Sequence, residues 1–288
     1  MDQKKGGDTA MKKKKRIAMV LQYAALLSAL LIIIFPIYWI IISSFKIKED
    51  ILSYPPKLFP SQFTLENYVT AFREYDVLMY LKNSLIVTGV TVILTVIIAA
   101  LAAYAMCFFK FAPAKILNNL LYLLQVLPTI TMMVPLMTLY RIMGIQNTYT
   151  SLILTYTAAI TGVPIALILI TGYFKAIPME LFESASIDGA GSFKAFYKIL
   201  LPLGAPGLVC TAIYVFVQAG QEFMFAVNLI TAPEKYTLPV GLQSFVGMRS
   251  TDWGGMMATC TMIAIPAVIL FTAVQNYFVD NLAGPVKE

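Results

Sequence analysis

Histidine is absent from this 288-residue chain, and charge is scarce: 12% of the residues are Asp, Glu, Lys or Arg. Without histidine, the commonest proton shuttle and the commonest metal ligand are missing. Cysteine is limited to Cys107, Cys210 and Cys260, each inside an apolar stretch. An odd, scattered set without paired spacing makes neither a disulfide framework nor a metal site, and it reads as small buried hydrophobes. No metal site is expected. There is no phosphate-binding loop of the G-x-x-x-x-G-K-[ST] kind, so the chain is not expected to hydrolyse ATP, to be an enzyme or to carry a cofactor.

What is abundant is apolar. Hydrophobic residues make up 59% of the chain, and the mean hydropathy is strongly positive. A soluble domain of this size cannot hide so much apolar surface, because its outside must be covered largely by polar side chains. The chain reads as an all-α integral membrane protein with about six transmembrane helices.

The net charge of +6 is concentrated at the N-terminus, where Lys4, Lys5, Lys12, Lys13, Lys14, Lys15 and Arg16 precede the first apolar run. The cluster contains no aromatic residues to stack on bases and abuts a span, so it reads as a topological signal and not as a nucleic-acid site. The first apolar run, 17–45, is too long for a signal-peptide core and lacks a clear cleavage site. It is expected to be a retained anchor that tilts, kinks at Pro36 or overshoots the bilayer. Residues 46–82, with Pro55, Pro56 and Pro60, form the longest polar segment. Further spans are expected from about Ser84 to Phe108, Leu117 to Tyr140, Leu152 to Phe174, Leu200 to Phe223 and Met256 to Phe278, within a core of 83–278 and before a tail of 279–288. The third span is interrupted by Pro128 and Pro135, and the fourth by Gly162 and Pro164. Lys110 and Lys115 between spans two and three, and Lys175, Lys194 and Lys198 between spans four and five, share the sign of the N-terminus. Both termini are therefore expected in the cytoplasm and 46–82 outside.

The loop Lys175–Pro206 differs from its surroundings. Pro178 suits a helix start, and Glu180 and Glu183 suit the first turns. Asp188, Gly189, Ala190 and Gly191 are expected to stop that helix, with glycine free to take a positive φ. A second short helix, Phe193 to Ile199, should precede a span beginning near Leu201 and Pro202. Ser184, Ala185 and Ser186 are small enough for close approach by a partner. Met179, Phe182 and Ile187 are large apolar residues expected to face water, which also suggests a partner. A plain amphipathic connector is the alternative.

Glu183-Ser184-Ala185, three residues, Gly189, nine residues, Ile199, one residue and Leu201-Pro202 resembles the EAA signature of ABC importer permeases; the departure is Ser184 in place of alanine. The resemblance extends from Asn83 to the end. Asn83-Ser84-Leu85, Ala102-Ala103-Tyr104-Ala105, Tyr236-Thr237-Leu238-Pro239 and Asp252-Trp253-Gly254 look like the carbohydrate branch, within which the chain is similar to the six-span maltose-type subunit. The tail resembles that subunit's, with Asn281-Leu282 and Pro285 as departures.

The resemblance implies a type I importer fold in the bacterial inner membrane, with 178–202 as a cytoplasmic coupling helix on an ATPase through Glu183, Ser184, Ala185, Asp188, Gly189, Ala190, Ile199, Leu201 and Pro202. It also implies a second related permease subunit, two ATPase subunits that bind ATP and Mg, and an extracellular solute-binding protein that hands over a sugar or oligosaccharide.

The fifth span ends in Gln218-Ala219-Gly220-Gln221-Glu222-Phe223, with Asn228 soon after. In related permeases the stretch matching 220–223 is usually Trp-Asn-acid-Phe, so Gly220 removes an indole and opens volume. Amides and a carboxylate suit hydroxyl-rich ligands, and an acid within a span is expected to face the bundle interior or a wet cavity. Gln218, Gly220, Gln221, Glu222 and Asn228 are therefore candidates for the translocation path. The other reading, that these groups bond neighbouring helices, stays open. So do two rival functions. An ion-coupled secondary transporter would use Glu222 as its ion site, although no inverted repeat is evident. A structural membrane anchor would need no broken helices.

Overall fold

In the computed structural model of the chain, residues 3–108, 128–158, 162–187, 189–248 and 250–282 are described, together with 116, 120 and 123. Nearly all described structure is helical, and the only β pairing among the described residues is two isolated bridges. The chain divides into two compact units, Met1–Ala71 with Asp252–Thr261, and Phe72–Thr251 with Met262–Glu288.

The first unit is built on α1, Gln3–Ser44, which carries Pro36 inside it. The basic residues Lys4 to Arg16 thus lie within the first part of this helix. From Ile17 to Ile37 the large apolar side chains are exposed all round, as expected of a helix whose solvent is lipid. Two short helices follow, α2 (Lys48–Ile51) and α3 (Glu66–Glu74). Asn67 of α3 donates its amide to the carbonyls of Ser44 and Lys46 at 2.9 and 2.8 Å, capping the end of α1, whose last carbonyls have no partner inside the helix. Lys46 is fully buried, with its ammonium 4.0 Å from the Trp39 ring centroid. Burial pushes its pKa down, and Asp50 pushes it back up.

The second unit is organised by α4, Val77–Phe108, a 32-residue helix. A 3₁₀ turn, Thr129–Met132, leads into α5 (Met133–Ile142), followed by α6 (Tyr149–Ala158) and α7 (Val163–Lys175). Together, α6 and α7 form a pair bent by 45°, where Gly162 and Pro164 had marked an interruption. The loop helix α8 (Glu180–Ile187) comes next. Then α9 (Ser192–Ala195), a π segment (Phe196–Leu200) and α10 (Leu201–Gly220) run on as one 29-residue helical stretch. Residues 193–199 are helical as expected, but they run continuously into the span instead of ending before it. Pro202 lacks the N–H that a regular helix would send to Lys198, and the chain widens into π turns just before it, with the Leu201 N–H bonding the Phe196 carbonyl. Two short helices, α11 (Met224–Leu229) and α12 (Leu238–Gly241), precede α13 (Trp253–Leu282).

Helices α1, α4 and the Ser192–Gly220 stretch are each long and apolar enough to cross a membrane, and the bent pair counts as a fourth only when taken as one broken span and not as a re-entrant loop. Shorter apolar helices, Ile130–Ile142 and Trp253–Ile269, stand where the third and sixth spans were expected. Most of 109–127, including the first half of the expected third span, lies outside the described residues.

Small residues line the crossings of α4, α7 and α10. Ala99, Ala100, Ala103 and Ala166 are buried there. A Cβ on Gly204 or Gly207 would lie 2.5 and 2.3 Å from ring atoms of Phe174 and Tyr173. Without a hydrophobic drive between helices in lipid, such close approach supplies the dispersion contact that holds them together.

Candidate functional site

The loop helix α8 sorts its side chains cleanly. Glu180, Glu183, Ser184 and Ile187 are exposed, and their i, i+3, i+4, i+7 spacing puts them on one face. Phe182 and Ala185 lie on the opposite, buried face. Phe182 is 7% exposed, with its ring 4.0 Å from that of Phe108 at the end of α4. This corrects two expectations. Phe182 is an anchor and not a partner contact, and Ala185 is not available to a partner. Met179 and Ile187 do stay exposed, Ile187 at 86%.

The stop of α8 is a Schellman arrangement. Gly189 has φ +76°, and the Ala190 N–H bonds the Ala185 carbonyl at 2.9 Å. Asp188 lies outside the described residues. Beyond the turn, Tyr104 of α4 donates its hydroxyl to the Ser192 carbonyl at 2.8 Å, and its ring is 5.0 Å from Phe196. Ile199 and Leu201 are half-buried against the same cluster, which contains Phe174, Phe182 and Leu200. Pro202 is exposed. The loop is therefore held against α4 through Phe182, Tyr104 and Phe196, with the face of Glu180, Glu183, Ser184 and Ile187 exposed.

The candidates at the end of α10 part company. Gln218 and Gln221 are hydrogen-bonded to each other, and Gln218 donates to the Tyr214 hydroxyl at 3.0 Å. Gly220 and Gln221 line a cavity of about 400 Å³, bordered also by Ser84, Leu85 and Thr88 of α4, Phe216 of α10 and Pro266 of α13. A Cβ on Gly220 would meet only the Thr88 hydroxyl, at 4.0 Å. The walls are mostly apolar, and the Ser84 hydroxyl is engaged by the Leu238 N–H at 2.7 Å. Glu222 is occupied elsewhere. It accepts from the Tyr156 hydroxyl at 2.8 Å and from the N–H groups of Phe225 and Ala226 at 2.9 and 3.2 Å, so it caps α11 and ties it to α6. Asn228 donates to the Met224 carbonyl on its own helix.

Two motifs noted separately in the sequence meet in space. Asn83 donates to the carbonyls of Glu234 and Tyr236, both at 2.9 Å, and accepts from the Tyr149 hydroxyl at 2.7 Å. With the Ser84–Leu238 bond, this joins the Asn-Ser-Leu motif, about two turns into α4, to the Tyr-Thr-Leu-Pro segment.

Residues 95–283 match the family described as "Binding-protein-dependent transport system inner membrane component". The chain belongs to that family. It is a multi-pass inner-membrane permease subunit of ABC importers, a class whose name carries its dependence on a binding protein. Among its relatives, the probable ABC transporter permease protein YurM of Bacillus subtilis is 39% identical over 90% of this chain and 85% of its own length. The trehalose/maltose transport system permease protein MalG of Thermococcus litoralis is 36% identical over 95% and 97%. The sulfoquinovosyl glycerol transport system permease protein SmoH of Agrobacterium fabrum is 32% identical over 88% and 89%. The fold matches a chain of a bacterial ABC transporter involved in the import of the acidic polysaccharide alginate, with TM-score 0.81 at 20% identity over 92% of this chain and 98% of that one. The permease therefore has the type I importer fold, and membership of this family replaces both the secondary-transporter and the anchor readings.

Sequence reasoning missed the residues that hold the permease's loop and cap. Tyr104 lies in the Ala-Ala-Tyr-Ala motif, which was a signal; nothing local singled out Phe108 or Tyr156. Asn147, at φ +61°, accepts from the N–H groups of Thr231 and Ala232 at 3.0 and 3.1 Å; it too carried no signal beyond its residue type.

Proposed function

We propose that this permease forms half of the pathway of a carbohydrate importer, taking a sugar or oligosaccharide from an extracellular binding protein. The observation that carries this reading is that relatives 32–36% identical over most of the chain are named for glycosides: sulfoquinovosyl glycerol, trehalose and maltose, diacetylchitobiose. Helix α8 then presents Glu183 and Ser184 to a cytoplasmic ATPase, and the whole loop from Ala185, Asp188, Gly189 and Ala190 to Ile199, Leu201 and Pro202 keeps that face rigid. ATP and Mg bind the ATPase, not this chain. Two ATPase subunits closing on ATP shift the spans between two packed states, because ATP binds the closed arrangement better.

In this reading both termini and the 178–202 loop are cytoplasmic, in keeping with the basic loops. A second, related permease completes the pore. Gly220 and Gln221 border the path through their cavity, with Gln218 behind Gln221. Glu222 and Asn228 serve the path indirectly, by fixing α11. The test is ATP turnover by the complex reconstituted in vesicles, with the binding protein loaded from a glycan panel. Stimulation by one glycan class is expected. Uptake driven by an ion gradient without ATP would overturn the proposal.

A further inference from the structure

The segment after the first span folds back along the span. At about 1.5 Å per residue, about 32 Å of helix separates Ile17 from Tyr38, so with Ile17 at the near boundary of a hydrocarbon core about 30 Å thick an upright helix brings Tyr38 and Trp39 to the far one. The turns from Tyr38 to Ser44 carry the helix about 9 Å further. Yet the Tyr38 hydroxyl donates to the Leu58 carbonyl at 2.7 Å, and its ring centroid is 6.2 Å from that of Phe59. The buried Lys46 ammonium donates to the Lys57 carbonyl at 2.7 Å. Residues 57–59 therefore lie beside the span at the level of Tyr38, well short of the helix end.

The chemistry of this stretch suits that depth. Tyr54-Pro55-Pro56-Lys57-Leu58-Phe59-Pro60 contains three residues with no backbone N–H. The carbonyls of Lys57 and Leu58 are taken by Lys46 and Tyr38. The carbonyl of Pro55 is also engaged, by the Ser53 hydroxyl, and the remaining N–H and C=O groups suit the hydrated interface rather than the hydrocarbon core. The Lys57 ammonium is neutralised by Asp50. Outward, the segment shows Tyr54 at 97%, Leu58 at 54% and Phe59 at 68% exposure. These join Phe35, whose ring is 6.5 Å from Tyr38, on the lipid-facing surface of the span. Aromatic side chains favour this boundary because their rings are apolar and their edges polar.

We propose that residues 54–60 are an interfacial membrane anchor, with Leu58 and Phe59 inserted among the lipids beside the first span. The occupant of this apolar surface is the bilayer, and neither the binding protein nor the second permease. The anchor pins the far end of the span at a fixed depth.

The test uses the full chain with its copurifying subunits, in vesicles of phosphatidylethanolamine and phosphatidylglycerol, with Cys107, Cys210 and Cys260 replaced by alanine. A nitroxide is attached at Phe59→Cys, and at exposed Glu49→Cys as the aqueous control. Power saturation should show an oxygen-to-nickel-chelate accessibility ratio several-fold higher at position 59 than at position 49. A ratio equal to that at 49 would place Phe59 in water and overturn the proposal. Shielding from both reagents would mean that protein covers it, and would also overturn it. Leu58→Cys repeats the measurement should Phe59→Cys fail to accumulate.

Discussion

Gly189 has open space where a Cβ would stand, so its constraint is backbone conformation alone. At φ +76° an L-residue pays roughly 1–2 kcal/mol, and more if β-branched, whereas asparagine tolerates the region. Gly189→Asn should keep most uptake and Gly189→Val should lose it, measured as sugar uptake and ATP turnover side by side. Equal loss in both variants would mean that the backbone is not the reason. Asp50 makes a different kind of residue-scale commitment. Bonds from Lys57 and from the hydroxyl and N–H of Ser61 hold its carboxyl at about 2, below the unfolded value of about 3.9. A depressed carboxylate stabilises the fold above its unfolded pKa, and that contribution is lost as pH falls through about 4 to about 2. Cleavage within 46–65 by an acid-tolerant non-specific protease, normalised at each pH to an unfolded substrate, should therefore rise over that window, and Asp50→Asn should flatten the rise while raising cleavage at pH 5.

At the scale of elements, α8 stays in place because one aromatic side chain fills a site at the end of α4. Removing a buried phenyl ring costs about 3–5 kcal/mol where the site cannot collapse. Phe182→Ala should free the loop, making Lys175 and Lys194 faster trypsin sites and reducing transport per ATP hydrolysed; Phe182→Leu should do less. Unchanged cleavage in Phe182→Ala would show that Tyr104 and the 189–192 turn suffice. The end of α10 invites the opposite change. An indole at position 220 would enter the cavity of about 400 Å³ with little steric conflict. If that cavity borders the path, Gly220→Trp should assemble normally and slow long oligosaccharides more than short ones. Equal uptake of every chain length would dissociate the cavity from substrate size.

At the scale of the whole molecule, the exposed face of α8 is a surface left for another component. A complex purified through this permease should contain a second, different permease subunit in equal amount, by mass spectrometry of the intact assembly. Turnover by a complex of this chain and an ATPase alone would refute that.

The first, second and fifth spans, the loop helix and its glycine stop were legible in the chain because each is written locally. A membrane helix must satisfy its own backbone bonds and so announces itself as an apolar run. A helix stop needs a residue that tolerates positive φ, and the spacing from Glu183 to Pro202 lies within one loop. Pairings across the bundle were not legible. Glu222 could face substrate or a neighbouring helix on sequence grounds; only the fold brings Tyr156 to it, from a helix far away in the chain. Asn83 and Tyr236 stood in separate motifs until packing joined them. The two faces of α8 differ for the same reason. Phe182 and Ile187 are both large apolar residues on a short loop, and which of them is buried was decided by where α4 ends, since burial belongs to the neighbour as much as to the residue.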